Sequence, residues 1–388
     1  MSLLTLNAGS SSLKFAVFSR DGRERRLTGH VDGVGRDKAE ITIKRSGQAD
    51  ETRTLRRGGS HEGALQAALE IAGRAAGETV HAVGHRIVHG GARFSGPAEI
   101  TAEVETGIEA LVPLAPLHQP HNLEAVRTAR SAFPGAVQVA CFDTAFHRSH
   151  DFAADAFALP ARYYDKGVRR YGFHGLSYQY LARALAEAEG RTPGRAVLCH
   201  LGSGASLCAI RDGVSCDSSM GFSALDGLPM ATRCGQIDPG VLLYLMAEEG
   251  LDADALTDLL YKKSGLKGLS GTSGDMREIE QADTDAAKAA FDYFVARCRR
   301  EIAAMCAALQ GLDSLVFSAG VGEHSPAVRA AVCEGLGWLG VKLDPAANAA
   351  AKGAPVKISA AHSAVSVWMI PTDEEQVIAE AAARFVHP

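Results

Sequence analysis

Two short apolar runs open the chain, Leu3-Leu4-Thr5-Leu6 and Phe15-Ala16-Val17-Phe18, with Asn7-Ala8-Gly9-Ser10-Ser11-Ser12-Leu13-Lys14 between them. Apolar run, Gly/Ser turn and apolar run predict a β-hairpin. Strands are expected near residues 3–8, 13–19, 26–32 and 39–45. Ala64, Leu65, Ala68, Leu69 and Ile71 recur with helical period and predict a helix at about 62–75. Val80 to Val88 reads as a strand, Ala102 to Val112 as a helix and Ala136 to Phe142 as a buried strand. The order is a β-meander followed by alternating α and β.

The pattern returns after about residue 195. Ala196–His200 and Ser206–Ile210 are apolar runs flanking a second glycine turn, Leu201-Gly202-Ser203-Gly204-Ala205. Helices are predicted at about 240–262 and 281–310, then a strand at Ser314–Phe317 and a helix at about 326–334. A strand at Val365–Ile370 and a terminal helix close the series. Two halves that each open with strand, Gly/Ser turn and strand suggest an internal duplication. The expected fold class is therefore α/β, as two domains facing one another across a cleft where both turns meet one phosphate chain.

Composition narrows the partners. With 40 Lys+Arg against 45 Asp+Glu the net charge is −5, and no basic run of five or more occurs, so nucleic acid is not an expected partner. No apolar run approaches the roughly 20 residues of a bilayer span, and the N-terminus lacks the pattern of a secretion signal. A membrane partner is therefore not expected either. The eight cysteines, Cys141, Cys199, Cys208, Cys216, Cys234, Cys298, Cys306 and Cys333, form no C-x-x-C pair. They read as reduced, mostly buried thiols in a cytoplasmic protein.

Candidate chemistry sits at the ends of the apolar runs. The opening turn, Gly202-Ser203-Gly204 and Gly320-Val321-Gly322 are three glycine turns after strands, a set that suits nucleotide phosphates. A G-x-x-x-x-G-K-[ST] loop is absent, and Gly335-Leu336-Gly337-Trp338-Leu339-Gly340 follows a helix, so Gly335 reads as a helix C-cap. Arg86, in His85-Arg86-Ile87-Val88-His89-Gly90-Gly91, and Arg233, in Ala231-Thr232-Arg233-Cys234-Gly235, offer guanidinium forks for carboxylate or phosphate, or else surface salt bridges. Asp143 ends a buried run, a placement that suits either catalysis or helix capping. His174 lies in Tyr171-Gly172-Phe173-His174-Gly175, as a donor to a phosphoryl group or a buried structural histidine. Asp373-Glu374-Glu375 open the last helix, where acids cap the dipole or hold Mg2+. The His118/His121 and His147/His150 pairs lack further ligands at zinc spacing.

Taken together and in this order, these strings resemble the acetate kinase family. The resemblance runs through Asn7–Phe15, Gly84–Gly91, Leu114–His118, Phe142–His147, Tyr171–Gly175, His200–Gly204, Met220–Pro239, Ser273–Arg277, Ala319–Glu323 and Pro371–Glu375. It implies duplicated ribonuclease H-like domains of the actin, hexokinase and chaperone ATPase type, with a nucleotide cleft between them. The N-terminal domain would span 1–147, completed by helix 375–388, and the C-terminal domain 148–374. The implied reaction is reversible, Mg2+-dependent phosphoryl transfer from ATP to acetate, giving acetyl phosphate and ADP. The implied assembly is a homodimer built mainly through the second domain.

By the same resemblance Asn7 and Glu374 help hold Mg2+, with Mn2+ as the alternative metal. Ser10, Ser12 and Lys14 face the phosphates, and His200, Leu201, Gly202, Ser203 and Gly204 form the second phosphate loop. Asp275, Met276, Arg277, Gly320, Val321, Gly322, Glu323 and His324 surround the nucleoside. Arg86 binds the substrate carboxylate, Asp143 is the essential acid/base residue, and His174 with Arg233 stabilises the transition state. Val88, Leu117, Phe173 and Ala224 enclose the acetate methyl. Because a carboxylate nucleophile is already ionised at neutral pH, Asp143 is expected to orient the site more than to remove a proton.

Three positions depart from the family pattern. Ser203 replaces the asparagine of Leu-Gly-Asn-Gly, His324 replaces the asparagine after Gly-Glu, and Ala224 replaces a proline. The last removes wall volume, so propionate kinase or a dual acetate/propionate kinase is the alternative reading. A nucleotide-driven conformational module of the actin or chaperone type is the rival from another class. It has no need of Arg86 and Arg233.

Overall fold

The computed structural model describes residues 2–9, 12–35, 38–45, 47–55, 60–77 and 79–386. Ser10, assigned above to the phosphates, lies outside them. The chain divides into two compact units, Met1–Phe146 with Asp373–Pro388, and His147–Thr372.

The first unit is built on eight strands: β1 (Ser2–Ala8), β2 (Ser12–Ser19), β3 (Arg25–Asp32), β4 (Glu40–Arg45), β5 (Glu51–Thr54), β6 (Val80–Ile87), β7 (Ala98–Glu99) and β8 (Val137–Phe142). Their order across the sheet is β5-β4-β3-β2-β1-β6-β8-β7. The hairpin β1–β2 is antiparallel with Asn7 opposite Lys14, whereas β6 lies parallel to β1 and β8 parallel to β6. Strand β1 is buried from Ser2 to Asn7 instead of alternating. The helix His61–Ala76 packs against β2 and β3, and the helix Glu374–Ala383 packs against β1 and β6. Covering of this kind turns an alternating strand into an apolar run. Gly84 on β6 permits that close approach, since a Cβ there would stand 2.5 Å from Ile378 Cγ2.

Six strands form the second unit's sheet: β9 (Arg195–Leu201), β10 (Ala205–Arg211), β11 (Val214–Ser218), β12 (Ser314–Ser318), β13 (Val356–Lys357) and β14 (Ser366–Met369). Their order is β11-β10-β9-β12-β14-β13. Strand β10 is antiparallel to both β9 and β11, and β12 is parallel to both β9 and β14. The five-strand core β11-β10-β9-β12-β14 thus repeats β3-β2-β1-β6-β8 in order and direction. The duplication read from the two turns is present in the backbone.

Several expectations needed correction. The helix expected at 240–262 is broken into Pro239–Glu248, Ala253–Asp258 and a π-turn at Leu259–Lys263. Gly250 stands at φ 67° after the first piece and Asp252 caps the second. The helix at 102–112 stops at Glu109, ahead of the short 3-10 turn Val112–Leu114 that Pro113 opens. Gly320-Val321-Gly322 is not a turn but part of the helix Ala319–His324. Helices Gln119–Ala132 and Gly175–Glu189 and strands β5, β7 and β11 carried no signal that the pattern reading caught.

Candidate active site

In the first unit, charged groups gather at the C-terminal ends of β1, β6 and β8. Arg86 on β6 donates from Nε to both carboxylate oxygens of Asp143 at 3.0 Å, and from NH2 to Oδ2 at 2.5 Å. The Arg86 side chain is 17% exposed and that of Asp143 only 1%. Asp143 also donates its backbone N–H to Ile87 O at 3.0 Å, so it continues the strand ladder. NH1 of Arg86 donates to Asn7 Oδ1 at 3.2 Å, and Asn7 Nδ2 donates to Glu374 Oε2 at 2.9 Å. One chain of contacts therefore links Asp143, Arg86, Asn7 and Glu374.

Burial pushes the Asp143 carboxyl up to about 6, against the pull of the Arg86 charge. Burial also works against the guanidinium, but Asp143 and Glu374 outweigh it and hold Arg86 above its ordinary value. A proton on Asp143 would strip Arg86 of its counter-charge while keeping both buried. The forked contact therefore favours the ionised pair at neutral pH. A guanidinium carries five N–H bonds. Asp143 and Asn7 engage three, which leaves two for a ligand anion.

The remaining residues assigned to this unit differ in exposure. Val88 is buried with its N–H held by Asn122 Oδ1 at 3.0 Å, and Leu117 is half-buried before the helix Gln119–Ala132. Ser12 closes the opening turn by accepting Gly9 N–H at 2.8 Å, and Lys14 is exposed. Asn122 and Gln119, which the sequence reading did not single out, fix the Val88–His89 backbone through side-chain amides.

The second unit gathers the other set around its glycine turn. Gly202 N–H donates to Gly204 O at 3.0 Å and tightens the β9–β10 corner. A Cβ on Gly204 would stand 3.3 Å from His174 Nε2 and 3.5 Å from Arg233 NH2, so both side chains close on this one backbone position. His174 caps the helix Gly175–Glu189 from the left-handed region, at φ 58°. Such a conformation costs a non-glycine residue on the order of 1–3 kcal/mol. Its surroundings hold it there. Nδ1 lies 2.8 Å from Ser206 Oγ, and the ring stacks on His200 at 4.1 Å between centroids. Ser206 is shared with Tyr178 Oη at 2.5 Å, and His200 Nδ1 meets Ser177 Oγ at 2.8 Å. Burial holds the Tyr178 phenol well above its ordinary value, so it keeps its proton. Arg233 NH1 donates to Ala224 O at 2.7 Å. Phe173 is buried beside His174, where its carbonyl meets His147 Nε2 at 3.0 Å.

On another side of the same turn lies a cavity of about 540 Å3. Gly202 and Ser203 line it together with Asp275, Met276, Arg277, Gly320, Val321 and His324. Those eight residues, named from three separate stretches of sequence, meet around one space. Leu266, Phe294, Glu280 and Ser325 line it as well and were not foreseen. Gly274 is there because a Cβ would stand 2.4 Å from Ala231 O. Asp275 caps the helix Met276–Gln281 and takes Arg277 NH2 at 2.6 Å. Gly322 and Glu323 do not line the cavity. Glu323 Oε1 turns back to accept the N–H groups of Ala319 at 2.9 Å and Thr372 at 3.2 Å.

A nucleoside-sized cavity that ends on a glycine turn, with an arginine and a histidine at that turn, is the arrangement expected of a phosphoryl-transfer protein. The acetokinase family model matches residues 2–380 of this sequence. The chain belongs to the acetokinase family. An acetate kinase of Methylocella silvestris is 52% identical to it, over 97% of this chain and 96% of that relative. The crystal structure of Porphyromonas gingivalis acetate kinase has a TM-score of 0.89 at 36% identity, covering 100% of both chains. A propionate kinase from Francisella tularensis has a TM-score of 0.91 at 33% identity, covering 98% of both chains. The fold of this acetokinase is accordingly the duplicated actin-like ATPase fold.

Proposed function

We propose that this chain is an acetate kinase that moves the γ-phosphoryl of ATP reversibly onto acetate. One observation carries the reading: the turn Gly202–Gly204 borders a nucleoside-sized cavity and also meets His174 and Arg233. A nucleoside in that cavity sends its phosphates along the turn toward these two donors. In-line transfer between two anions needs positive charge and alignment more than covalent chemistry.

Arg86, with two N–H bonds beyond those given to Asp143 and Asn7, takes the substrate carboxylate. Both Asp143 oxygens accept N–H groups of Arg86, so Asp143 fixes the guanidinium in place, and an ionised carboxylate substrate brings no proton for a base to remove. In the second unit, Tyr178 O–H donating to Ser206 and Ser206 O–H donating to His174 Nδ1 leave the imidazole proton on Nε2, beside Gly204. That N–H and Arg233 stabilise charge on the transferring phosphoryl oxygens.

The residues proposed for Mg2+ fit a hard cation. Among the described residues there is no cluster of three or more His, Cys, Asp or Glu able to hold a metal. Mg2+ bound through one or two carboxylates, waters and substrate phosphates needs none. Glu374 supplies an anionic oxygen beside Asn7, and the neighbouring Glu375 Oε1 is buried without a hydrogen-bond partner. When bound, Mg2+ would neutralise charge on the ATP phosphates, and Mn2+ suits the same oxygen donors. Ser12 and Lys14 remain proposed phosphate contacts.

A homodimer in the cytoplasm completes the proposal. The helix Pro239–Glu248 supports it, with Val241, Leu243, Tyr244 and Met246 all exposed. The deciding experiment is acyl phosphate formation, trapped as hydroxamate, from ATP, Mg2+ and formate, acetate, propionate or butyrate. Acetate is expected to lead. ADP released at the same rate without any carboxylate defeats the reading.

Ala224 favours propionate as a second substrate, since an apolar methylene is worth about 1–3 kcal/mol of discrimination. Ala224→Pro is expected to lower the propionate-to-acetate ratio of kcat/KM severalfold. An unchanged ratio removes Ala224 from substrate choice.

A further inference from the structure

The structure assigns to His324 the reading of the purine 6-position, with its imidazole accepting a hydrogen bond from the adenine amino group. This inference rests on the nucleoside cavity proposed above and concerns a residue where the chain departs from its family.

The tautomer follows from one contact. His324 Nδ1 lies 3.0 Å from Gly320 O, and a carbonyl oxygen only accepts, so the ring proton is on Nδ1. In the neutral imidazole Nε2 is then an acceptor. The ring is exposed and lines the cavity, so that acceptor is available to a ligand there.

Position along the cavity selects the base end. A Cβ on Gly202 would stand 3.6 Å from Ala319 Cβ, which sets the start of the helix Ala319–His324 against the phosphate turn. His324 stands four residues beyond Gly320, about 6 Å further along the helix axis. The nearby acid, Glu280, gives its Oε1 to the Ser325 hydroxyl, on the residue after His324. Arg277 is likewise turned onto Asp275.

Chemistry then separates the nucleotides. Adenine carries an amino donor at position 6, whereas hypoxanthine and guanine carry an oxygen there, which faces the Nε2 lone pair unfavourably. The asparagine of the family offers an amide that donates or accepts by turning over, and so discriminates less.

The test compares ADP with IDP in direct binding and ATP with ITP in turnover, in the full chain. The parent chain is expected to favour the 6-amino nucleotide on the order of tenfold. His324→Leu should bring the ratio close to one, mainly by weakening ADP, and His324→Asn should fall between. Equal ratios in the parent and His324→Leu, with ADP still binding both, overturn the assignment to His324 alone. No ADP binding to the parent overturns the nucleoside cavity with it. A loss in His324→Leu that tracks the 2′-deoxynucleotide and not the 6-oxo base also overturns it, by placing the ring on the ribose.

Discussion

Strand for strand, the two units carry one backbone design, yet their corresponding strand ends hold different chemistry. At the ends of β1, β6 and β8 the first unit places a network of formal charges: Asp143, Arg86 and Glu374, joined through Asn7. At the β9–β10 corner the second unit places stacked imidazoles and hydroxyls, with one arginine. The duplicated backbone sets where functional side chains emerge, and their identity sets what each half can do. Charge suits a site that captures and aligns anions. Donors held in fixed orientation suit a site where charge shifts during the reaction and little reorganisation is wanted.

The contrast is sharpest at Arg86. Arg86→Leu is expected to lower kcat/KM for the carboxylate by about 10^2–10^3 and to cost about 3 kcal/mol of stability at pH 8, because Asp143 is left buried and unpaired. The orphaned carboxyl, its pKa raised further, would be stabilised when protonated. The stability deficit should therefore grow as pH rises above about 6 and be smaller at pH 5 than at pH 8. Urea titrations at both pH values check this, and a deficit independent of pH breaks the pairing argument.

In the second unit, His174→Ala should lower kcat by about 10^2 because it removes a donor, while the left-handed backbone stays strained under alanine, which keeps its Cβ. Ser206→Ala, which leaves the ring but frees it to turn, should cost roughly tenfold. If Ser206→Ala has no kinetic effect, the orientation of His174 does not depend on this hydroxyl.

The smallest expected effect concerns acid sensitivity. Burial pushes His147 down to about 3 and His150 to about 4, and both meet Ser215 Oγ. The unfolded chain takes up protons that the folded one refuses. The stability present above pH 6.5 is therefore lost as pH falls through the histidine range. His150→Gln should recover about 2 kcal/mol at pH 4.5. Both tryptophans, Trp338 and Trp368, lie in the second unit, so their fluorescence reports the transition there. An acid midpoint unmoved by the substitution shows that other groups set it. His85, pushed down to about 4 by burial, gives the first unit a sensitivity of the same sign.

The parts of the fold legible in sequence were those that bury apolar side chains on a regular period. Strands β1, β2, β6, β8, β9, β10 and β12 are nearly continuously buried, each large aliphatic contributing roughly 1.5–3 kcal/mol on burial. The helix Gln119–Ala132 escaped because two of its inward positions are Gln119 and Asn122, which bond to backbone and break the apolar stripe. Gly175–Glu189 escaped because its cap is a left-handed histidine whose side chain makes no capping bond. At the candidate site, charged residues and glycines announced themselves, whereas Ser177, Ser206 and Thr372 are small and chemically common. A lone serine within the buried run of β10 was the one available signal for Ser206.

The helix Glu374–Ala383 belongs to the first unit but follows the second in sequence. On the ribosome the sheet of β1 and β6 therefore waits for its cover while the intervening 226 residues of the second unit are made. At 5–20 residues per second that interval is roughly 11–45 s. Glu374, the residue proposed for the metal, arrives only after both sheets have been synthesised. A nascent chain carries the cavity proposed for the nucleoside before it carries the carboxylate.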